Sequence, residues 1–349
     1  MGGIVAALAH WRAGNYTPPM DLFDTMARYG AESLQLVEDE ARGLRALIAI
    51  HSTRRGPAFG GIRTLSYTNF NAAVTDALRL AQHMSYKAAL ADLPAGGGKA
   101  VVVKTPNMDR ALSFSALGRA INRLGGSFFT GLDTGTTHED LAHVAQGTKY
   151  VALHLDFGKS TARGLIAAAK AALDAELKGR AIAVQGLGSV GAEFARMAAK
   201  AGARVIVADI QDALAKELAR DLDCERVKPG EIVGVECDLF APCALGGILT
   251  SETVKGLRCK AIAGSANNQL AKPEVGALLQ KRGIIYVPDF VANAGALIKG
   301  VLEHQAGKSL DFSVVDRVGE TTRAVLQRAK KEKKPPHEIA ERIALERLA

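Results

Sequence analysis

A chain of 349 residues, 48% apolar and 23% charged, is long enough for two domains that each bury a core, and its composition is that of a soluble globular protein rather than a disordered one. The net charge of +8 gathers near the C-terminus (Arg323, Arg328, Lys330, Lys331, Lys333, Lys334), where a helical pattern without interleaved aromatics reads as a solvated helix end and not as a nucleic-acid surface. The opening MGGIVAALAHW has no basic leader, no bilayer-length apolar run and no Ser or Thr at position 6 for myristoylation, and Cys224, Cys237, Cys243 and Cys259 lack CxxC spacing, which argues against export, membrane anchoring, a metal centre or a disulfide framework and fits a reducing cytoplasm.

Residues 1 to about 40 read as weakly patterned helical segments. Leu44 to His51 (LRALIAIH) has a strand pattern, and Ser52 to Gly61 reads as a Gly/Pro-rich loop whose Gly60-Gly61 pair opens the backbone to a ligand. In Phe70 to Leu90, the residues Phe70, Ala73, Val74, Ala77, Ala81 and Met84 recur at helical spacing. Lys87 follows on nearly the same face, at the helix C-terminal end where the dipole favours a cation. Next comes LPAGGGKAVVV, Leu93 to Val103. Gly96, Gly97 and Gly98 form a bare wall that something can lie against, and Lys99 opens a buried parallel strand, Ala100 to Val103. Lys87 and Lys99 together predict an anion site with one charged and one neutral amine, the neutral one able to act as a general base. The spacing alone equally allows both lysines to snorkel to solvent.

Arg110 to Leu124 is a predicted helix with Leu112, Phe114, Leu117 and Ile121 on its apolar face. Phe128 to Thr130 then leads into a Gly/Thr-rich turn, Gly131 to Thr137. Asp133 in that turn either faces a cleft or makes an Asx-turn. His138-Glu139-Asp140 lacks a second histidine at helical i, i+4 spacing, so a metal reading fails. Residues 147 to 160 read as a connector, with Ser160-Thr161 as the N-cap of a helix Ala162 to Leu177. The strand Ala181 to Gln185, the turn Gly186-Leu187-Gly188-Ser189-Val190-Gly191, the helix Ala192 to Ala201 and the strand Arg204 to Ala208 form a G-x-G-x-x-G dinucleotide unit. Asp209, 18 residues beyond Gly191, is placed for a ribose 2′-OH, and no arginine adjoins it for a 2′-phosphate, which favours NAD over NADP. Asp238 to Ala241, Ala261 to Ala263 and Ile284 to Val287 are further strands. The loops after them, containing Ala244, Asn267 and Asn293, should face the cofactor. Asn268 reads equally as turn chemistry. From about 312 the chain is helical.

GPAFGGIR (Gly56 to Arg63), MSYKAALADLPAGGGKAVV (Met84 to Val102) and TGLDTGT (Thr130 to Thr136) resemble the leucine/phenylalanine/valine dehydrogenases, amino-acid dehydrogenases related to glutamate dehydrogenase. The similarity runs from about Leu47 to about Gly300. It implies an α/β fold with an N-terminal substrate domain, residues 1–150, and a doubly wound Rossmann-type NAD domain, residues 151–324, across a cleft, with a C-terminal helix at 325–349 packing back towards the first.

The resemblance implies reversible oxidative deamination of an L-amino acid, with hydride passing to the nicotinamide and no metal. Lys87 would hold the substrate carboxylate, with Gly60, Gly61 and Met84 lining its pocket. Lys99 would activate water and Asp133 would move protons at the nitrogen. Thr161 and the Asn267 and Asn293 segments would lie beside the nicotinamide, with Asn267 also near the substrate. Phe59, Gly131, Leu297 and Gly300 would surround the substrate side chain. Gly131 with Leu297 resembles the phenylalanine enzymes, so a large apolar amino acid, phenylalanine-like or leucine/valine-like, is expected. The family also implies a homo-oligomer, dimeric or octameric. Leu132 and the N-terminal extension depart from the family pattern. They leave room for a homologue that couples 2-oxo acids, and a non-catalytic NAD sensor would need none of Lys87, Lys99 and Asp133.

Overall fold

A computed structural model describes residues 21–349; the opening stretch and its targeting patterns lie outside them. Two sheets organise the chain. The first is five-stranded, in the order β1-β2-β4-β3-β5: β1 Ser33–Asp39, β2 Leu44–Ser52, β3 Ala58–Leu65, β4 Gly96–Val103 and β5 Phe128–Leu132. β3, β4 and β5 run parallel, while β2 is antiparallel to both β1 and β4.

β2 and β4 carry apolar residues on both faces, Ala46 to Ile50 and Ala100 to Val102, because both of their faces are covered there. Leu47, Ala49 and Val101 pack against Ala73, Val74, Ala77, Leu78 and Ala81 of the helix Phe70–Leu90. The alternate residues Leu44, Ala46, Ile48, Ala100 and Val102 pack with Phe114, Leu117 and Ile121 of the helix Arg110–Asn122.

The second sheet is six-stranded, and every pair in it is parallel, in the order β11-β10-β9-β6-β7-β8. Its strands are β6 Ala181–Gln185, β7 Arg204–Ala208, β8 Glu225–Arg226, β9 Glu236–Pro242, β10 Arg258–Ile262 and β11 Ile285–Tyr286. Strand order reverses between β6 and β9, so a crevice opens at the carboxyl ends of these two strands. The C-terminal helix Pro336–Leu348 returns to the first sheet's helix: Arg347 Nη1 donates to Ala89 O at 2.9 Å and Leu90 O at 2.8 Å, satisfying carbonyls at that helix end. The four cysteines are free.

Several sequence expectations differ from the structure. Ser33–Asp39 is a strand, not helix; its burial does not alternate, so it carries no period-two signal, and pairing with β2 creates it. Phe59, Gly60 and Gly61 sit within β3 rather than in a loop. The triple glycine is the start of β4, not a wall preceding it. What lies against it is the protein itself. A Cβ on Gly97 would fall 2.1 Å from Ser85 N, and one on Gly98 would fall 2.7 Å from the Phe128 ring. Glycine here lets helix and strand backbones close up, with ordinary negative φ. The helix expected from Ala162 begins at Phe157, because Asp156 caps it by accepting from Lys159 N at 2.9 Å. It ends at Leu173, short of Leu177, with Asp174 in the left-handed region at φ 47°. Ser160 is therefore inside the helix, and its Oγ donates back to Asp156 O at 2.6 Å.

Candidate active site

A cleft of about 460 Å³ opens between the two sheets and draws its lining from both. Helical periodicity supplies one wall. Asp76, Leu80, His83 and Lys87 follow one another at three- and four-residue steps along the Phe70–Leu90 helix, and Leu80, His83, Met84 and Lys87 all line the cleft. The floor comes from strands. Gly61 and Arg63 on β3, Lys99 on β4, and Asp133 just after β5 converge there, since period-two alternation aims Lys99 and Val101 at the same sheet face.

Lys99 Nζ lies 2.7 Å from Asp133 Oδ2, with side-chain exposures of only 6% and 14%. Arg63 Nε donates to the same oxygen at 2.9 Å. Burial lowers the Lys99 pKa; Asp133 opposes that fall and Arg63 adds to it. Burial would raise the Asp133 pKa, but Lys99 and Arg63 outweigh it and hold the carboxyl well below the usual range. Lys99 is thus held at ion-pair distance from Asp133, with burial and Arg63 disfavouring its proton and Asp133 favouring it. Lys87 is lowered to about 8, by burial first, with Asp289 opposing and Lys99 reinforcing. It therefore remains mostly cationic at neutral pH. His83 is lowered to about 4 by burial and by Arg79 and Lys87, so it is a neutral wall.

The dinucleotide side is built around the β6 turn. The helix Ser189–Lys200 starts at Gly188 with no side-chain cap, and a Cβ on Gly188 would meet nothing within 4 Å, so its leading N–H groups are open. Gly186 takes φ 90°, and a Cβ on Gly191 would fall 1.9 Å from Gly186 O. Those two glycines make the turn, while Gly188, Ser189 and Val190 face the cleft. Ala244 packs on Gly186, outside the cleft lining. Asp209 follows β7 directly and accepts from Leu187 N at 2.6 Å and Gln211 N at 2.7 Å, which ties it to the turn. Two buried oxygens in this half of the cleft have no hydrogen-bond partner among the described residues, Thr161 Oγ1 and Asn293 Oδ1. Asn293 Nδ2 donates to Asn267 Oδ1 at 2.7 Å and Ser265 O at 3.1 Å, so its amide is held with the acceptor free. An uncapped helix start beside unpaired acceptors fits a pyrophosphate and a carboxamide.

Phe59, Gly131, Leu297 and Gly300 all line the cleft. Sequence reasoning missed their neighbours: Phe129 stacks on Phe59 at 5.1 Å, and His304 lies 3.9 Å from Phe129, centroid to centroid. It also missed Asp289, which faces the cleft from the second sheet's side, and Arg63 of the GPAFGGIR segment. Asp76, His83 and Lys87, at seven- and four-residue steps along the helix, were the legible signal for this wall, a polar line beside the apolar one.

A parallel-sheet dinucleotide crevice facing a lysine–carboxylate pair across one cleft defines a nicotinamide-dependent oxidoreductase. Residues 32–150 match the Glu/Leu/Phe/Val dehydrogenase dimerisation domain, and residues 211–349 match the glutamate/leucine/phenylalanine/valine dehydrogenase domain. The chain is 41% identical to a leucine dehydrogenase of Thermoactinomyces intermedius over 344 residues, covering 94% of each. It is 38% identical to a phenylalanine dehydrogenase of the same organism over 350 residues, again 94% of each. The crystal structure of L-tryptophan dehydrogenase from Nostoc punctiforme superposes with a TM-score of 0.80 at 38% identity, covering 93% of this chain and 98% of that one. The chain belongs to the Glu/Leu/Phe/Val dehydrogenase family, whose members are NAD(P)-dependent amino-acid dehydrogenases acting on a CH–NH2 group.

Proposed function

We propose that this protein catalyses the reversible NAD-dependent oxidative deamination of a large apolar L-amino acid to its 2-oxo acid and ammonium. The observation that carries this reading is the presence in one cleft of Lys87, the Lys99–Asp133 pair and the unpaired Thr161 and Asn293 oxygens. The nicotinamide, when bound, supplies the hydride acceptor. Lys87 holds the substrate carboxylate as an ammonium. Lys99, once deprotonated, takes a proton from the water that attacks the imine carbon, and Asp133 carries protons to and from the substrate nitrogen. Thr161, Asn267 and Asn293 hold the nicotinamide end, and the turn from Gly186 to Gly191 holds the pyrophosphate, with Ala244 supporting it from the next loop. Asp209 takes a ribose hydroxyl, which favours NAD over NADP. Phe59, Gly131, Leu297 and Gly300 surround the side chain, and the Phe59–Phe129 stack favours an aromatic one.

In this reading residues 1–150 bind the substrate and residues 151–324 bind NAD. The partners are small molecules: amino acid, 2-oxo acid and ammonium. The match of residues 32–150 to a dimerisation domain supports a homo-oligomer. The proposed place of action is the cytoplasm; no helix among the described residues is long and apolar enough to cross a membrane. The test is NADH formation at alkaline pH across a panel of L-amino acids, with Lys99→Ala as control. Turnover with phenylalanine, leucine or valine that disappears in the control is the expected result. NAD binding without turnover on any of them would overturn the reading in favour of a 2-oxo-acid-coupling homologue or a sensor.

A further inference from the structure

Arg63 is the part of the floor to which nothing so far gives a role. Its side chain is 12% exposed and stands on the same face of β3 as Gly61, opposite Val101 of β4. Two carboxylates share it. Nε donates to Asp133 Oδ2 at 2.9 Å, and Nη1 donates to Asp76 Oδ2 at 3.3 Å. Asp76 is fixed in turn: Tyr67 OH donates to it at 2.8 Å and Arg79 Nη2 at 2.8 Å. Arg79 Nη1 then reaches Asn268 Oδ1 at 3.1 Å, in the loop after β10 on the other side of the cleft. A continuous line of charge-assisted hydrogen bonds therefore runs from the cofactor side to the reacting carboxylate.

The two oxygens of Asp133 are not equivalent. Oδ2 takes both Lys99 and Arg63, whereas Oδ1 receives only the adjacent Thr134, whose hydroxyl is 3.4 Å away. We infer that Arg63 is a positioning residue: braced by Asp76, it clamps Oδ2 of Asp133 so that Oδ1 is presented to the substrate nitrogen and Lys99 faces a fixed partner. The inference rests on the proposed roles of Lys99 and Asp133. A guanidinium suits this task because its fork engages two carboxylates in fixed directions, which an ammonium cannot do.

The electrostatic consequence is specific. The charged groups around Lys99 are Asp133 from the turn after β5, Arg63 from β3, and Asp76 and Lys87 from the Phe70–Leu90 helix. Arg63 disfavours a proton on Lys99, and the two carboxylates favour one. Replacing Arg63 by glutamine removes that repulsion, so Lys99 should lose its proton at higher pH. Lysine at the same position keeps the charge and loses the fork.

The experiment compares wild type, Arg63→Gln and Arg63→Lys in two ways. The first reads the pH dependence of Lys99 acetylation by acetic anhydride, followed by peptide mass, which needs no turnover. The second reads kcat and kcat/KM for deamination against pH, with NAD binding titrated as a check on folding. The expected result is a Lys99 titration and an acidic kinetic limb that both move to higher pH in Arg63→Gln and stay near wild type in Arg63→Lys. In both variants kcat falls at least about tenfold while NAD affinity is kept. An Arg63→Gln protein that binds NAD and shows an unmoved Lys99 titration would overturn the inference and leave the proposed function standing. A wild type without turnover would overturn both.

Discussion

Asp133→Asn removes the one carboxylate shared by two buried cations while nearly preserving shape. Lys99 and Arg63 sit 2.7 and 2.9 Å from its Oδ2. At an effective dielectric near 20, a charge pair at about 3 Å has a gross attraction of about 5 kcal/mol, most of which offsets the cost of burying the charges. Deleting one partner does not return that burial cost, so the net loss of stability at pH 7 should be about 3–5 kcal/mol. The loss should also depend on pH in a defined direction. Without Asp133, burial and Arg63 act on Lys99 with less opposition, so its folded pKa falls further below its unfolded value. A base whose pKa is depressed on folding costs stability at low pH. It recovers that stability as pH rises from the folded to the unfolded pKa, because there the unfolded chain binds the extra proton. The deficit of Asp133→Asn against wild type should therefore shrink as pH rises from the variant's folded Lys99 pKa to that of the wild type, above which the two proteins gain stability in step. Urea midpoints of the two proteins at several pH values measure it, and deamination kinetics on the same samples should show a loss of about 10²–10⁴ in kcat. A variant as stable as wild type at pH 7, or a deficit that grows with pH, would refute the placement of a buried ion triad here.

Lys87→Ala should raise KM for the amino acid with little change in NAD affinity, as judged by separate saturation curves, because Lys87 belongs to the helix wall and not to the dinucleotide turn. Gly131→Ala adds a methyl whose nearest neighbour would be Ala152 Cβ at 3.7 Å, so the protein should fold normally. The smaller subsite should then move the kcat/KM ratio of phenylalanine to leucine downward by about 10-fold or more, and an unchanged ratio would remove Gly131 from the side-chain subsite. Gly97→Ala should yield unfolded or insoluble protein by circular dichroism and light scattering. Its Cβ would lie 2.1 Å from the backbone nitrogen of Ser85, and neither helix nor strand can yield there without breaking hydrogen bonds.

The dinucleotide unit was legible because all its parts are local. Strand, glycine turn, helix, strand and Asp209 lie within a few dozen consecutive residues, and Gly191 answers a constraint set by Gly186, its near neighbour in the chain. The Phe70–Leu90 helix was legible for the same reason, since periodicity needs only adjacent turns. Sequence also placed Lys87 on that helix's C-terminal end and Asp133 at the end of a strand. It could not say that Lys99 and Asp133 touch, because they come from β4 and from the turn after β5, and the strand that separates them, β3, is earlier in the chain than either. Hence the sequence pairs Lys99 only with Lys87, where the fold also sets the Asp133 carboxylate 2.7 Å from its amine. Ser33–Asp39 was misread as helix because an edge strand with no alternating burial is specified by its partner, not by its own pattern. The triple glycine reads as a wall that something can lie against, and only the tertiary structure shows that at Gly97 this is a helix. Periodicity and turn chemistry act over a few residues and are written in the sequence. Which charges meet, and which of them share a proton, depends on strand order, and strand order is settled only when the sheets close.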